Sequence, residues 1–375
     1  MLMSSAPMVV FVGGFLGKDL APTPKLATLP LSAMILGTAL STIPAAMLMK
    51  RVGRKRGSFL GYSLALIGCF LAMQAAIQAS FALLLVGVAL LGSSMAFAQQ
   101  FRFAALESLK DPSDFPTALS VMMLGGIASA FIGPELGLGG KDLIESAFGY
   151  AGSFLLLMGA IVLSMLVFTL YKEPVVVEID EGESARPIGR IARSPLFIVA
   201  VLSCAVSFGV MSFVMTATPL NMHEICGIDL SNTKRVIQGH IASMFIPSLL
   251  GGFLINRFGM GRIIFVGAVL YGGMMLVGLA GQSLLHFWGS LLFLGVGWNF
   301  LFVGGNSLLP LSYRPSERFK AQALNDFAVF GSQGAASLGA GWFLFEFGWN
   351  ALLWTCLAPT VVVGLAGLWL ARQGR

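Results

Sequence analysis

The sequence predicts an all-α integral membrane protein with twelve transmembrane helices in two halves of six. Three observations favour this class: an apolar composition, long uncharged stretches and a pattern that occurs twice along the chain. The 375 residues are 57% hydrophobic and 11% charged, with a mean hydropathy of +0.86, whereas soluble domains are about 25% charged. Apolar stretches of about 20 residues can each cross the hydrocarbon layer as a helix. Because these stretches are continuous rather than alternating, they favour helices over barrel strands.

The apolar stretches divide the chain into two sets of six helices. The first set is predicted over 1–17, 28–50, 57–78, 81–103, 115–138 and 147–171. The second is predicted over 195–221, 233–257, 261–282, 285–311, 320–345 and 349–371. The stretch 172–194 holds nine of the chain's forty charges. It is therefore predicted to be a cytoplasmic linker between an N-terminal half, 1–171, and a C-terminal half, 195–375.

The first helix is the least complete of the twelve. The opening "MLMSSAPMVVFVGGFLG" lacks the positive start and the cleavage site of a signal peptide. A helix of about 17 residues covers only about 25 Å. We therefore expect either a short first helix or a true start upstream of Met1, and we favour the second.

The internal repeat is clearest where helices two and eight end. Helix two ends in "AMLMKRVGRKRG" and helix eight in "GFLINRFGMGR". Aligning Gly53 with Gly259 gives an offset of 206, which also aligns Arg51 with Arg257. Parallel similarity between two six-helix halves is typical of one large class of transporter folds.

The positive charges predict the orientation in the membrane. The loops after even-numbered helices, together with the C-terminus, carry 17 of the 23 Lys and Arg residues. This bias places both termini in the cytoplasm. The basic run "KRVGRKRG" at 50–57 is then a loop on the inner face, and a nucleic-acid partner is excluded.

The loop between helices two and three resembles the signature of the major facilitator superfamily, G-x-x-x-D-R-x-G-R-K. Arg51, Gly53, Arg54 and Lys55 fit that pattern, whereas Ala46 replaces the first Gly and Lys50 the Asp. The second copy keeps Gly252, Arg257 and Gly259 and has Asn256 in place of the Asp. The resemblance implies the twelve-helix facilitator fold and a cytoplasmic gate. The predicted gating residues are Arg51, Gly53, Arg54, Arg257, Gly259 and Asp326.

Five segments are similar to a bacterial branch of that superfamily that includes riboflavin importers. They are "LGTALSTIPAAMLMKRVGRKRG", "AQQFRFAALES", "FGVMSFVMTATPLNMH", "LGVGWNFLFVGGNSLL" and "LNDFAVFGSQGAASL". The resemblance implies a flat, polar heterocycle such as riboflavin as the solute and a bacterial inner membrane as the location.

Polar side chains inside membrane helices are costly, and they indicate where a solute path runs. Helix four ends in Gln99, Gln100 and Arg102, with aromatic residues on both sides of the arginine. These groups could bind an anionic or carbonyl-rich solute. The alternative is an arginine that extends to the membrane interface.

Helix ten provides a second candidate set: Trp298, Asn299 and Asn306. Asn299, Phe302 and Asn306 share a helix face by their spacing. An aromatic ring beside amides suits a flat heteroaromatic solute. The alternative is helix packing, in which the asparagines bond across helices.

His240 and Gln238 in helix eight are candidates for proton coupling, because histidine titrates near neutral pH. A structural histidine is the alternative. Asp326 begins helix eleven, and it could pair with Arg102 or Arg51 when the inner gate closes. Alternatively, it could favour its helix N-terminus.

Helix five contains "IASAFIGPELGLGG", in which Gly133, Pro134 and Gly137 resemble the G-P-x-x-G-G motif of facilitator antiporters. Leu138 interrupts the motif at the second Gly. This motif favours an exporter, and a kinked packing surface is the alternative.

These observations predict a monomeric secondary transporter that moves a small organic solute by alternating access, with protons as a possible coupling ion and membrane lipids as its surroundings. The alternatives are a proton-coupled exporter of drugs or siderophores and a non-transport membrane enzyme or receptor. The scattered Cys69, Cys204, Cys226 and Cys356 have no metal or disulfide spacing. No metal, cofactor or catalytic residue is predicted.

Overall fold

The structure, a computed structural model, describes residues 2–23, 26–101, 114–171 and 186–374. Its first half contains six long helices, in agreement with the prediction. They are α1 Ser5–Leu20, α2 Leu29–Val52, α3 Arg54–Gln78, α4 Phe81–Gln99, α5 Phe115–Gly139 and α6 Ala151–Phe168. The predicted end of helix four, with Arg102, and the first fourteen residues of the linker lie outside the described residues.

The second half repeats this arrangement with more breaks. It begins with α7 Pro195–Leu220, α8 in two segments Leu230–Phe245 and Ser248–Phe258, α9 Met260–Ala280 and α10 Leu284–Leu308. A helical run Arg318–Thr355 bends at Gly348, whose φ is 81°. We call its residues 318–347 α11, while 349–355 and the following Leu357–Arg372 form α12.

Nine stretches of the described chain are by themselves long and apolar enough to cross a membrane. One of them, Lys320–Arg372, contains both α11 and α12. With the 16-residue α1 and the 25-residue α5, the described chain has the twelve helices that the sequence predicts.

Helix eight was predicted as one continuous helix, but the structure divides it into two segments. Pro247 lies between its two segments. Proline has no N–H for the helical ladder and its ring clashes with the preceding turn. The break therefore follows from the sequence "FIPS", which periodicity alone did not identify.

The repeat is visible in the backbone. Gly53 separates α2 from α3 with φ 86° and ψ 160°, and Gly259 separates α8 from α9 with φ 82° and ψ 156°. Nearly the same angles, in a region that side chains exclude, end the same helix of each half. The structural repeat thus follows the sequence offset of 206.

The two halves meet mainly through two pairs of helices: α2 packs on α11, and α5 packs on α8. The repeat exchanges α2 with α8 and α5 with α11, so these two interfaces are equivalent. Glycines permit the close approach in both. A Cβ on Gly252 would lie 3.1 Å from Cα of Thr117, and one on Gly334 would lie 3.0 Å from Cδ2 of Leu36.

The bundle has two ends. The termini face carries the C-terminal ends of α2, α4, α6, α8 and α10. There, Lys55 Nζ donates to the Thr169 carbonyl at 2.9 Å. The opposite face carries the loops after odd-numbered helices, where Lys18 of α1 pairs with Glu224 after α7.

Candidate functional site

A cavity of about 410 Å³ lies between the two halves. Helices of both halves contribute to its wall, and its volume falls within the range of small-molecule sites. It reaches Leu2 and Met3 before α1 and Phe101 after α4, so it lies toward the termini face. Seven methionines give it an adaptable apolar lining. They are Met3, Met34, Met95, Met122, Met211, Met215 and Met244.

An aromatic cluster forms one wall of the cavity. Trp298 stacks on Phe302 with 4.9 Å between ring centroids. Phe208 and Phe245 meet the Trp298 ring edge-on at 5.1 and 5.9 Å, and Phe330 packs on Phe208. Only 2% of Trp298 is accessible. Trp298 therefore lines the cavity as part of a packed aromatic cluster, with one ring face stacked on Phe302.

Two buried polar atoms of the lining have no partner among the described residues: Nε2 of His240 and Nε1 of Trp298. The other ring nitrogen of His240, Nδ1, lies 2.8 Å from the carbonyl oxygen of Leu291. A buried polar atom without a partner is rare in proteins. A molecule in the cavity could supply the hydrogen-bond partner that each atom lacks.

Two amides also line the cavity, one from each half. The side chains of Gln99 in α4 and Gln333 in α11 have no hydrogen bond to any residue that the structure describes. Gln99 was predicted as a site residue, whereas Gln333 was not. The rule that selected Gln99, an amide within an apolar helix, also selects Gln333 in "VFGSQGAAS".

Asn299 does not line the cavity and instead fits the packing alternative. It is fully buried, and its Nδ2 donates to the Met244 carbonyl and to Ser248 Oγ, each at 2.6 Å. Met244 and Ser248 lie on the two sides of the break at Pro247. Asn299 thus connects α10 to both segments of α8 beside the break.

Asn306 and Gln100 also lie outside the cavity lining. Asn306 Nδ2 donates to the Phe302 carbonyl at 3.0 Å and to Cys204 Sγ at 3.4 Å, which again corresponds to helix packing. Gln100 is buried, and its backbone carbonyl accepts from Arg54 Nη1 at 3.1 Å. The geometry therefore does not place either amide where it could contact a solute.

His240 and Gln238 point in different directions. Gln238 Nε2 donates to Glu135 Oε1 at 3.0 Å, and Lys234 Nζ pairs with the same oxygen at 2.9 Å. These contacts join α8 to α5 away from the cavity lining. The structure does not bring His240 and Gln238 together as a polar relay.

The predicted gating residues lie at the termini face. Arg51 and Arg257 are exposed, and Arg257 lies over the ring of Phe258 at 5.8 Å. Asp326 is buried in α11 and accepts a hydrogen bond from Asn325 Nδ2 at 3.0 Å. Its predicted partner Arg102 lies outside the described residues, so the gate remains a prediction.

A buried ion pair at the termini face was not predicted. Arg186, at the end of the linker, donates to Glu317 through Nε at 2.7 Å and through Nη2 at 2.6 Å. The amide of Arg314 donates to the same carboxylate at 2.9 Å. These bonds lower the pKa of Glu317 to about 2, and the bond from the Arg186 side chain contributes most. The pair ties the linker to the loop between α10 and α11.

The glycines of helix five have a packing role. A Cβ on Gly133 would lie 2.6 Å from the Ser4 carbonyl oxygen, and one on Gly137 would lie 2.9 Å from Cγ2 of Val12. These glycines allow α5 to approach α1 closely. The antiporter-like motif therefore has a structural explanation in this chain.

Comparison with known proteins gives consistent results for sequence and fold. The family model of the Major Facilitator Superfamily matches residues 1–246. The chain is 37% identical to the riboflavin transporter RfnT of Brucella anthropi over 97% of this chain and 91% of the relative. It is 28% identical to the MFS-type transporter YddS of Bacillus subtilis over 88% of this chain and 79% of the relative.

Solved structures of transporters share the fold. The human organic anion transporter MFSD10 gives a TM-score of 0.72 at 14% identity, over 98% of this chain and 96% of that chain. The outward conformation of the transporter FucP gives a TM-score of 0.65 at 18% identity, over 99% and 97%. At these identities the likeness concerns the fold alone.

Proposed function

The chain belongs to the major facilitator superfamily, and from this premise we propose that it transports riboflavin, or a closely related flat heterocycle, across a bacterial inner membrane. The proposed substrate rests on the 37% identity to a riboflavin transporter over nearly the full length of both chains. The family and the relatives are transporters rather than enzymes.

The cavity supports the same proposal on chemical grounds. A flavin is a large flat ring with hydrogen-bonding groups along one edge. The cavity offers an apolar, methionine-rich wall and four unpartnered polar groups, on Gln99, His240, Trp298 and Gln333. A mainly apolar wall with a few placed polar groups is the usual form of a small-molecule site.

We infer that transport proceeds by alternating access between the halves 1–171 and 195–375, with 172–194 as the connecting linker. At the opposite face, Lys18 pairs with Glu224 across the halves. Ser32 of α2 and Ser337 of α11 lie 2.9 Å apart, also across the halves. Together with the cavity's position toward the termini face, these contacts support a conformation closed at the opposite face.

The test is uptake of labelled riboflavin by a riboflavin auxotroph that expresses the chain, with and without a protonophore. Uptake above the empty-vector control supports the substrate. Its loss with the protonophore supports proton coupling. Absence of riboflavin uptake and of riboflavin binding would overturn the proposed function.

Export of drugs or siderophores is the second candidate, favoured by Gly133, Pro134 and Gly137 of α5. The close packing of these glycines on α1 accounts for them without an export role. Efflux of preloaded riboflavin, or of a dye, from energised vesicles would favour export.

A further inference from the structure

Two cavity atoms with complementary hydrogen-bonding roles come from neighbouring helices. His240 of α8 and Trp298 of α10 line the same cavity, and His240 Nε2 and Trp298 Nε1 are both buried without partners among the described residues. The two helices pack closely, since a Cβ on Gly295 would lie 2.7 Å from the His240 carbonyl oxygen. The two residues therefore belong to adjacent, closely packed helices in the wall of one cavity.

The hydrogen bond to Leu291 determines the role of His240. A carbonyl oxygen can only accept, so the proton of the neutral ring lies on Nδ1 and is donated to the Leu291 carbonyl, 2.8 Å away. Nε2 is then left with a lone pair. A second proton there would create a buried charge, and no carboxylate is among the described lining residues. His240 therefore presents an acceptor to the cavity.

Trp298 has the converse role. The indole nitrogen is a donor only. The surrounding rings of Phe208, Phe245 and Phe302 fix the orientation of the indole but contain no acceptor atoms. The Nε1–H has no acceptor among the described residues.

We propose that His240 Nε2 accepts the N–H of a ring imide or lactam while Trp298 Nε1–H donates to a carbonyl or ring nitrogen of the same heterocycle. The site then selects heterocycles with both a ring N–H and an acceptor. This inference rests on the proposed function and specifies which edge of the solute is recognised. In riboflavin, the pyrimidinedione ring supplies an N–H at N3 flanked by two carbonyls.

A methyl group on N3 removes the donor and leaves most of the flavin unchanged. The experiment compares riboflavin with 3-methylriboflavin by titrating flavin fluorescence with the purified full-length protein in detergent. We expect wild type to bind the methylated compound about 10- to 100-fold more weakly, since the buried acceptor loses its donor.

The variants separate the two hydrogen bonds. In His240→Phe, the affinity ratio between the two compounds should fall toward one. In Trp298→Phe, which keeps a ring but removes the N–H, both compounds should bind more weakly and the ratio should persist. His286→Phe is the matched control, because His286 bonds to Ser283 and does not line the cavity. It should leave both affinities unchanged.

The wild-type comparison alone can overturn the inference, even if His240→Phe fails to fold. Equal wild-type affinities for the two flavins would show that the N–H is not recognised, while riboflavin binding itself would leave the proposed function standing. An undiminished ratio in folded His240→Phe would also contradict the inference. If wild type bound neither flavin, the proposed function itself would be contradicted.

Discussion

Asn299 and Gln99 are both amides within the helical bundle, but they have opposite hydrogen-bond surroundings. Asn299 donates twice to α8, whereas Gln99 faces the cavity without a partner among the described residues. The two donated bonds of Asn299 stabilise the fold, although its Oδ1 has no partner among the described residues. An amide without side-chain partners beside a cavity can instead bond to a ligand.

A pair of substitutions should separate these roles. Asn299→Leu leaves the Met244 carbonyl unpaired, and we expect a loss of about 1–3 kcal/mol in stability with riboflavin affinity retained by the folded fraction. Gln99→Leu should weaken riboflavin binding and leave stability nearly unchanged. Thermal unfolding in detergent and flavin fluorescence titration measure the two effects. A selective affinity loss in Asn299→Leu would contradict the assignment.

At this scale the sequence could identify polar residues at membrane depth but not the direction of each side chain. Asn299, Phe302 and Asn306 share one helix face by spacing, yet Phe302 lines the cavity while the asparagines do not. The difference arises from partners distant in the chain. Asn299 donates to the Met244 carbonyl and to Ser248 Oγ on α8, and no local pattern around residue 299 predicts these acceptors.

At the scale of elements, the turns at Gly53 and Gly259 have a positive φ and an extended ψ, a region that is essentially restricted to glycine. Both turns were predicted from the sequence because the glycines are 206 residues apart in matching surroundings. Their similar angles mean that helices two and eight end in the same backbone conformation.

Gly53→Ala and Gly259→Ala should therefore each reduce stability by about 1–3 kcal/mol, since a side chain is strained in that conformation. Gly272→Ala in α9 is the matched control. A Cβ there meets no atom within 4 Å, and alanine favours a helix over glycine by up to about 1 kcal/mol. Thermal unfolding midpoints of the three variants provide the test, and an unaffected Gly53→Ala would contradict it.

The linker and the loop before α11 are joined by the buried Arg186–Glu317 pair, which the sequence could not predict. Charge patterns showed a polar linker, but they could not pair residues 131 positions apart. Glu317 is fully buried, and its pKa is lowered from 4.5 to about 2. The stabilisation is therefore complete above pH 4.5 and is lost as the pH falls toward 2.

Glu317→Gln should lower stability by about 3 kcal/mol at pH 7, because it leaves Arg186 without its carboxylate. The difference from wild type should shrink as the pH decreases from 4.5 toward 2, where the wild-type carboxyl also becomes protonated. Unfolding midpoints at pH 7 and pH 3 measure this. The exposed Glu145→Gln serves as control and should show no such difference at either pH.

For the whole molecule, the repeat in the sequence predicts two equivalent interfaces, and α2–α11 and α5–α8 provide them. The sequence could not indicate which end of the bundle is closed, because both states of a transporter have the same sequence. The pairs Lys18–Glu224 and Lys234–Glu135 join the halves. Such partly exposed pairs each contribute up to about 1 kcal/mol, which allows the closure to be reversible.

Joining the halves at the opposite face should therefore stop transport without preventing binding. In a Cys226→Ser background, Lys18→Cys with Glu224→Cys can be bridged by a short, reducible bis-thiol crosslinker. If the halves must separate there, the crosslinked protein in proteoliposomes should lose riboflavin transport, retain flavin binding from the termini face, and recover transport after reduction.

Lys55→Cys with Thr169→Cys is the matched control, since this pair bridges two helices of one half. Its crosslink should leave transport intact. Transport at the wild-type rate while positions 18 and 224 are crosslinked would mean that the halves do not move apart at the opposite face, and alternating access between them would have to be abandoned.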